Sequence, residues 1–131
     1  MQLPEAFIAR MSRELGAEEA AKRCSALTTE PSTSVRRNPA KLTVAEWPSE
    51  AVEWSRYGYR LTQRPSFTLD TQFHAGAYYV QEASSQFAGY IMASAMGGEE
   101  CCEGKRVLDM CAAPGGKSTH YASLVGSEGL V

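Results

Sequence analysis

The sequence predicts an α+β domain, a helical hairpin plus a small sheet, followed by the first βα unit of a doubly wound α/β domain. Three observations carry this. Apolar residues recur at helical spacing over residues 3–27, short strand-like runs lie between residues 28 and 79, and strand, small-residue turn and helix follow one another from Lys105 to Val125. The boundary between the two domains is expected at 79/80, giving an N-terminal domain of residues 1–79 and the truncated start of a second over residues 80–131.

Composition limits the function classes first. At 131 residues, 44% hydrophobic and 21% charged, the chain is long enough to bury a core without a disulfide or metal staple. That profile excludes a disordered chain, collagen, a coiled coil and a disulfide scaffold. No stretch approaches the roughly 20 apolar residues of a membrane span, and the N-terminus lacks the layout of a signal peptide. The expected compartment is the cytoplasm. The net charge of -2 supplies no global field toward nucleic acid, so any such contact must come from a local cluster or from further parts of a larger protein. Cys24, Cys101, Cys102 and Cys111 contain no C-x-x-C pair and no histidine at finger spacing, which points to reduced thiols and no metal.

Along the chain, Leu3, Phe7, Ile8, Met11 and Leu15 form one helical stripe, closed by Gly16; Ala20, Ala21, Cys24 and Leu27 form a second, with Glu18 and Glu19 in its first turn. Core packing is the simple reading of both. Ser34 to Asn38 reads as a short strand ended by Pro39, Arg56 to Leu61 and Phe67 to Leu69 as further strands, and Ala51 to Trp54 is ambiguous. Trp47, Trp54, Tyr57, Tyr59, Phe67, Phe73, Tyr78 and Tyr79 interleave with Arg56, Arg60 and Arg64. Such a mixture serves single-stranded nucleic acid, with rings for stacking and guanidinium for phosphate; it equally fills a small core beside solvated arginines. A helix then places Ala83, Phe87, Ile91 and Ala95 on one face and stops at Gly97-Gly98. After a polar loop, Lys105 to Met110 reads as a strand, Ser118 to Val125 as a helix, and Gly129 to Val131 as the opening of another strand.

Chemistry belongs at the turn between that strand and helix, Cys111-Ala112-Ala113-Pro114-Gly115-Gly116-Lys117. Small residues let a ligand approach the backbone, and the helix start aims free N–H groups and a positive dipole end at a negative group. A phosphate-gripping P-loop is half matched by Gly116-Lys117-Ser118, but Cys111 stands at its first glycine. The dinucleotide fingerprint fails because the only glycines are adjacent. A ligand with a carboxylate end and a nucleoside end remains, a description that S-adenosylmethionine meets.

The run Asp109-Met110-Cys111-Ala112-Ala113-Pro114-Gly115-Gly116-Lys117-Ser118 resembles the first motif of the Sun-type RNA cytosine-5 methyltransferase family, D-x-C-A-A-P-G-G-K-[ST]. Tyr79-Val80-Gln81-Glu82-Ala83-Ser84-Ser85 resembles the family's Y-x-Q-[DE]-x-S-S segment, and Ser34-Val35-Arg36-Arg37-Asn38-Pro39 is similar to its S-x-R-x-N-P motif. The hairpin resembles the bacterial ribosomal branch. The resemblance implies that residues 80–131 open an α/β Rossmann-like methyltransferase domain. It implies that Cys111, Ala112, Ala113, Pro114, Gly115, Gly116 and Lys117 hold S-adenosylmethionine, with Asp109 fixing the loop. Lys117 would offer charge to the cofactor carboxylate or an RNA phosphate. Arg36 and Asn38 would lie on an RNA-facing domain, with ribosomal RNA favoured over transfer RNA as partner.

In the intact family mechanism a cysteine thiolate adds to C6 of cytosine, C5 attacks the sulfonium methyl, and a base then removes the C5 proton. The two family cysteines sit in P-C-S-type and T-C-S-type loops, and neither string occurs here. Cys111 belongs to the cofactor loop, and the resemblance gives it no nucleophilic role. After Lys117 there are 14 residues, whereas the rest of such a sheet needs on the order of 100 more. The expectation is therefore an N-terminal piece that lacks the catalytic residues and is inactive alone, with an exposed sheet edge prone to self-association. A P-loop-like nucleotide-binding fragment and a non-catalytic RNA-binding module are the alternatives. His74 and His120 are assigned no role.

Overall fold

The computed structural model describes residues 3–41 and 49–131. Trp47, one of the interleaved aromatics, lies outside them. Contacts divide the chain into two units, Met1–Ser32 and Thr33–Val131.

The first unit is the expected hairpin, α1 (Glu5–Leu15) and α2 (Ala17–Thr28). The chain reverses on Gly16, whose φ of 82° is open to glycine at little cost. Exposed i,i+4 pairs line it, Arg10–Glu14 at 2.7 Å and Lys22–Glu18 at 2.9 Å, each contributing a few tenths of a kcal/mol. Ala20 is the buried residue of the two helices.

The second unit is built on an antiparallel sheet of β1 (Thr33–Arg37), β2 (Ser49–Ala51), β3 (Gly58–Leu61) and β4 (Tyr78–Val80), in the order β2-β3-β1-β4. Val35 faces both Tyr59 and Val80, while Arg36 faces Gly58 and Tyr79. Side chains alternate along a strand, so Val35 and Arg36 point to opposite faces of the sheet.

On the Val35 face lies an apolar core of Val35, Leu61, Phe67, Ala77 and Tyr78. The rings of Phe67, Phe73 and Tyr78 meet at centroid distances of 5.8 to 6.2 Å. Four of the eight interleaved rings, Phe67, Tyr78, Tyr59 and Phe73, therefore belong to this core or pack against it. The run Phe67–Leu69, expected as a strand, is instead a single 3-10 turn. It drives Phe67 into the core and leaves Leu69 outside. Asp70 then caps α3 (Thr71–His74) by accepting from the Gln72 N–H at 2.8 Å, and takes a 2.6 Å bond from the Tyr78 hydroxyl. That cap bends the chain before a strand could run on.

The other face carries α4 (Ala83–Met96) and α5 (Gly116–Val125). Trp54 ties α4 to the sheet connection by donating its indole N–H to the Ala83 carbonyl at 2.8 Å. The buried residues of α4 are Ala83, Gln86, Gly89 and Ala93; of the expected row Ala83, Phe87, Ile91 and Ala95, Ala83 alone is among them. Phe87 is 42% and Ile91 57% exposed. Close approach of α5 decides this: a Cβ on Gly89 would land on the His120 ring, so the small face packs inward and the bulky row turns out. Helix α4 ends on Gly97 in the left-handed region, as the sequence indicates.

Lys105 to Met110, expected as a strand, forms only an isolated parallel bridge between Arg106 and Leu130. The Val107 N–H reaches the Leu130 carbonyl at 2.8 Å, and the Leu130 N–H reaches that of Lys105 at 3.0 Å. A strand needs a ladder of partners, and here one residue supplies the pairing. Leu108 and Met110 stand 84% and 87% exposed. Among the described residues, no helix is long and apolar enough to cross a membrane, and no group of three His, Cys, Asp or Glu side chains is placed to hold a metal.

Candidate cofactor-binding site

The loop from Asp109 to the start of α5 is shaped by its own polar groups. The Asp109 carboxylate accepts from the Cys111 N–H at 3.0 Å and from the Ser118 hydroxyl at 2.7 Å, so one side chain spans the loop. These bonds, the Ser118 hydroxyl first, hold the Asp109 carboxyl below the usual carboxylate range. The Gly115 N–H bonds back to the Ala112 carbonyl, and the Ala113–Pro114 peptide is cis. Gly115 is left-handed, with φ of 108°, a conformation that favours glycine. Lys117 folds its ammonium onto the Cys111 carbonyl at 3.2 Å.

The result is a helix start without a side-chain cap. The first backbone bond runs from the Thr119 N–H to the Gly115 carbonyl, so the N–H groups of Gly116, Lys117 and Ser118 lie ahead of the ladder. Gly116 sits tightly against β4 and Gln81: a Cβ there would meet Gln81 Nε2 at 3.3 Å and Tyr79 Cε1 at 3.5 Å. Beside this turn opens a groove of about 560 Å³, lined in part by Tyr79, Gln81, Phe87, Ile91, Pro114 and Lys117. Its volume suits a drug-sized ligand. Cys111, Ala112, Ala113 and Pro114 are exposed, and Gly115, Gly116 and Lys117 half-buried. The seven loop residues are thus brought together at one surface.

Arg36 is placed differently from its expected RNA-facing position. It is 2% exposed and directed into the protein. Its Nε donates to Gln81 Oε1 at 2.9 Å, one terminal nitrogen to Ser123 Oγ at 3.2 Å and the Thr119 carbonyl at 3.4 Å, and the other to Thr119 Oγ1 at 2.6 Å and the Gly116 carbonyl at 3.4 Å. Those acceptors match all five guanidinium donors, which leaves none for a phosphate. Burial pushes the Arg36 pKa down to about 10, so the group stays charged at neutral pH. Asn38 is half-buried and shapes a turn, donating to the Gly76 carbonyl and accepting from the Ala40 N–H, each at 3.0 Å. Both residues border a second groove of about 700 Å³ with Tyr57, Tyr79 and Ser127.

Sequence reasoning missed the polar layer under this site. Gln86 is fully buried, donating to the Gln81 carbonyl at 3.1 Å and the Val35 carbonyl at 3.4 Å. His120 is 3% exposed, and its Nδ1 has no hydrogen-bond partner. Burial first, and the Arg36 charge second, lower its pKa to about 4. The available signal was Gln86 in line with the small residues Gly89 and Ala93 on one face of α4. The interleaved arginines lie over neighbouring rings, Arg56 over Tyr57 at 5.5 Å, Arg60 over Trp54 at 5.3 Å and Arg64 over Phe67 at 5.4 Å.

Residues 3–83 match the family model described as the N-terminal domain of 16S rRNA methyltransferase RsmF. The chain is 33% identical to ribosomal RNA small subunit methyltransferase F of Vibrio cholerae serotype O1, a match covering 100% of this chain and 29% of that protein. It is 29% identical to a probable ribosomal RNA small subunit methyltransferase B of Synechocystis, covering 98% of this chain and 29% of the relative. A crystal structure of a methyltransferase homolog protein from Pyrococcus horikoshii superposes with a TM-score of 0.69 at 26% identity, over 94% of this chain and 41% of that one. The chain therefore spans less than a third of the length of these curated relatives.

Proposed function

The chain belongs to the family of the 16S rRNA methyltransferase RsmF, and from that premise we propose that its Asp109–Thr119 turn binds the amino-acid end of S-adenosylmethionine. The parent activity we assign is methylation of cytosine C5 in ribosomal RNA, carried out in the cytoplasm. Residues 80–131 are then the opening of a Rossmann-like methyltransferase domain, and residues 1–79 its RNA-facing partner. The observation that carries the reading is the uncapped helix start whose loop is held open by Asp109.

The residues present fit such a ligand. The N–H groups of Gly116, Lys117 and Ser118 offer donors to a carboxylate, reinforced by the positive end of the α5 dipole. Gly115, where a Cβ would meet nothing within 4 Å, leaves room for that group to come against the backbone. The apolar wall of Phe87 and Ile91 gives the adjoining groove a surface on which a flat, uncharged part can rest. Lys117 adds positive charge at the rim, while its bond to Cys111 steadies the loop. When bound, S-adenosylmethionine supplies a sulfonium methyl group for transfer to carbon. Asp109, Cys111 and Lys117 bind and orient in this scheme, and none is a nucleophile. The 131-residue chain on its own is proposed to be inactive.

Backbone amide shifts on titration with S-adenosylhomocysteine test this. The expected result is that Gly115, Gly116, Lys117 and Ser118 move most and that magnesium ATP leaves them unmoved. Shifts centred elsewhere, or an ATP response at these amides, would overturn the assignment.

A further inference from the structure

We infer that Arg36 is a positioning residue for the ligand-facing first turn of α5, and that its buried charge also attracts the anionic group docked there. This rests on the proposed role of the loop. Two properties of Arg36 carry it further.

The first is geometric. Arg36 comes from β1, roughly eighty residues before the first turn of α5, yet its terminal nitrogens donate to the Gly116 carbonyl and the Thr119 hydroxyl of that turn and to the Ser123 hydroxyl one turn on. The Thr119 hydroxyl that it contacts at 2.6 Å also lies 2.8 Å from the Gly115 carbonyl, at the left-handed residue that opens the helix. Its Nε holds Gln81, and Gln81 is what Gly116 packs against. Displacing the guanidinium therefore frees both the helix start and the surface under it. A planar fork fixes direction as well as distance, which an ammonium cannot do.

The second is electrostatic. None of the ion pairs among the described residues includes Arg36. Every acceptor around it is neutral: an amide, two hydroxyls and two carbonyls. Buried charges are ordinarily paired, so this one stands as a net positive charge within one helical turn of the Gly116–Ser118 amides. A ligand carboxylate at those amides would bring it a counter-charge, beside the Asp109 carboxylate that Ser118 already holds. Histidine cannot share the role, because His120 beside it stays neutral.

Two substitutions separate geometry from charge. Arg36→Lys keeps the charge and loses the fork; Gln81→Glu keeps the fork and neutralises the charge. Each is titrated with S-adenosylhomocysteine, which has the amino-acid tail, and with 5′-methylthioadenosine, which lacks it. The Kd for the tailed ligand is expected to rise in each variant, by about two- to fivefold in Gln81→Glu, the scale of one charge at a helix terminus, with the tailless ligand unchanged. If Arg36→Lys does not fold, Thr119→Val, which removes one acceptor of the fork and keeps the charge, takes its place. Unchanged affinity for the tailed ligand, or equal loss for both ligands, overturns the inference. A parent chain that binds the tailed ligand no more tightly than the tailless one overturns the proposed role of the loop instead.

Discussion

Acidifying the chain from pH 7 to pH 4 is expected to remove about 3 kcal/mol of folding stability through His120 alone. The ring is 3% exposed, lies against Gly89 and has an Nδ1 without a hydrogen-bond partner. Burial, then the Arg36 charge, takes its pKa from 6.5 to about 4. Between those values the unfolded chain binds a proton that the folded chain refuses. Stability is therefore complete above pH 6.5 and falls as the pH drops toward 4, where the folded ring protonates too. At about 1.4 kcal/mol per pH unit, the interval sums to that loss, a large part of a typical domain's stability. Glu53, Asp70 and Asp109 are carboxylates lowered from their ordinary values of 4.5, 3.8 and 3.8, so their contributions fall away from the acid end of that window downward, Glu53 first. Urea melts at pH 7, 5.5 and 4 measure the slope, and the same series on His120→Leu isolates its source. The parent chain should lose stability across the window and the variant should not. A slope that survives in His120→Leu, or a flat parent, refutes the assignment.

Three glycine and loop substitutions probe the same geometry. Gly58→Ala puts a Cβ on the Gln86 carboxamide and 2.8 Å from Ser55 Cβ; a loss of about 1–3 kcal/mol in unfolding free energy from urea melts is expected, as for overpacking elsewhere. Gly115→Ala meets nothing within 4 Å but needs φ of 108°, so its cost of about 1–2 kcal/mol is backbone strain alone, and a melt unchanged within error would contradict that. Asp109→Ala releases the Cys111 N–H and the Ser118 hydroxyl at an exposed loop; hydrogen exchange at Cys111 should speed up and S-adenosylhomocysteine binding weaken while the melt moves little.

The hairpin, β1, β3, α4 and α5 were legible because each rests on local signals: a stripe with a glycine stop, an alternating run, or a small-residue turn before a helix. Phe67–Leu69 looked like a strand because β-propensity reports only a residue's fit to a half-buried surface. A 3-10 turn buried Phe67 equally well. On α4, the apolar row at Phe87 and Ile91 was visible, but which row faces inward depends on α5, whose His120 needs Gly89 opposite it. The loop's composition was plain in sequence, whereas the clamp behind it joins residues over eighty positions apart. No local pattern encodes such a pair. The motif resemblance put Arg36 on an RNA-facing domain, and nothing local in the sequence shows its side chain turned inward.

The contrast between the two faces of the sheet explains why so much polar material sits under the loop. On the Val35 face, aromatic rings supply area and little direction. On the Arg36 face, the apolar cluster joining α4 and α5 is small, with Ala93, Cys102 and Leu124 buried and Met92 and Met96 beside them. Such a cluster would tolerate sliding of α5 along α4. Directed bonds from Arg36, at fixed angles to Thr119 and Ser123, do not. The alternation of β1 supplies them: Ser34 and Arg36 share the face turned to the helices, where Ser34 bonds the Gln81 carbonyl at 2.7 Å. A helix start that presents backbone amides to a ligand, as proposed for α5, needs its position set more finely than its stability, and a buried polar layer provides that at some expense in hydrophobic area.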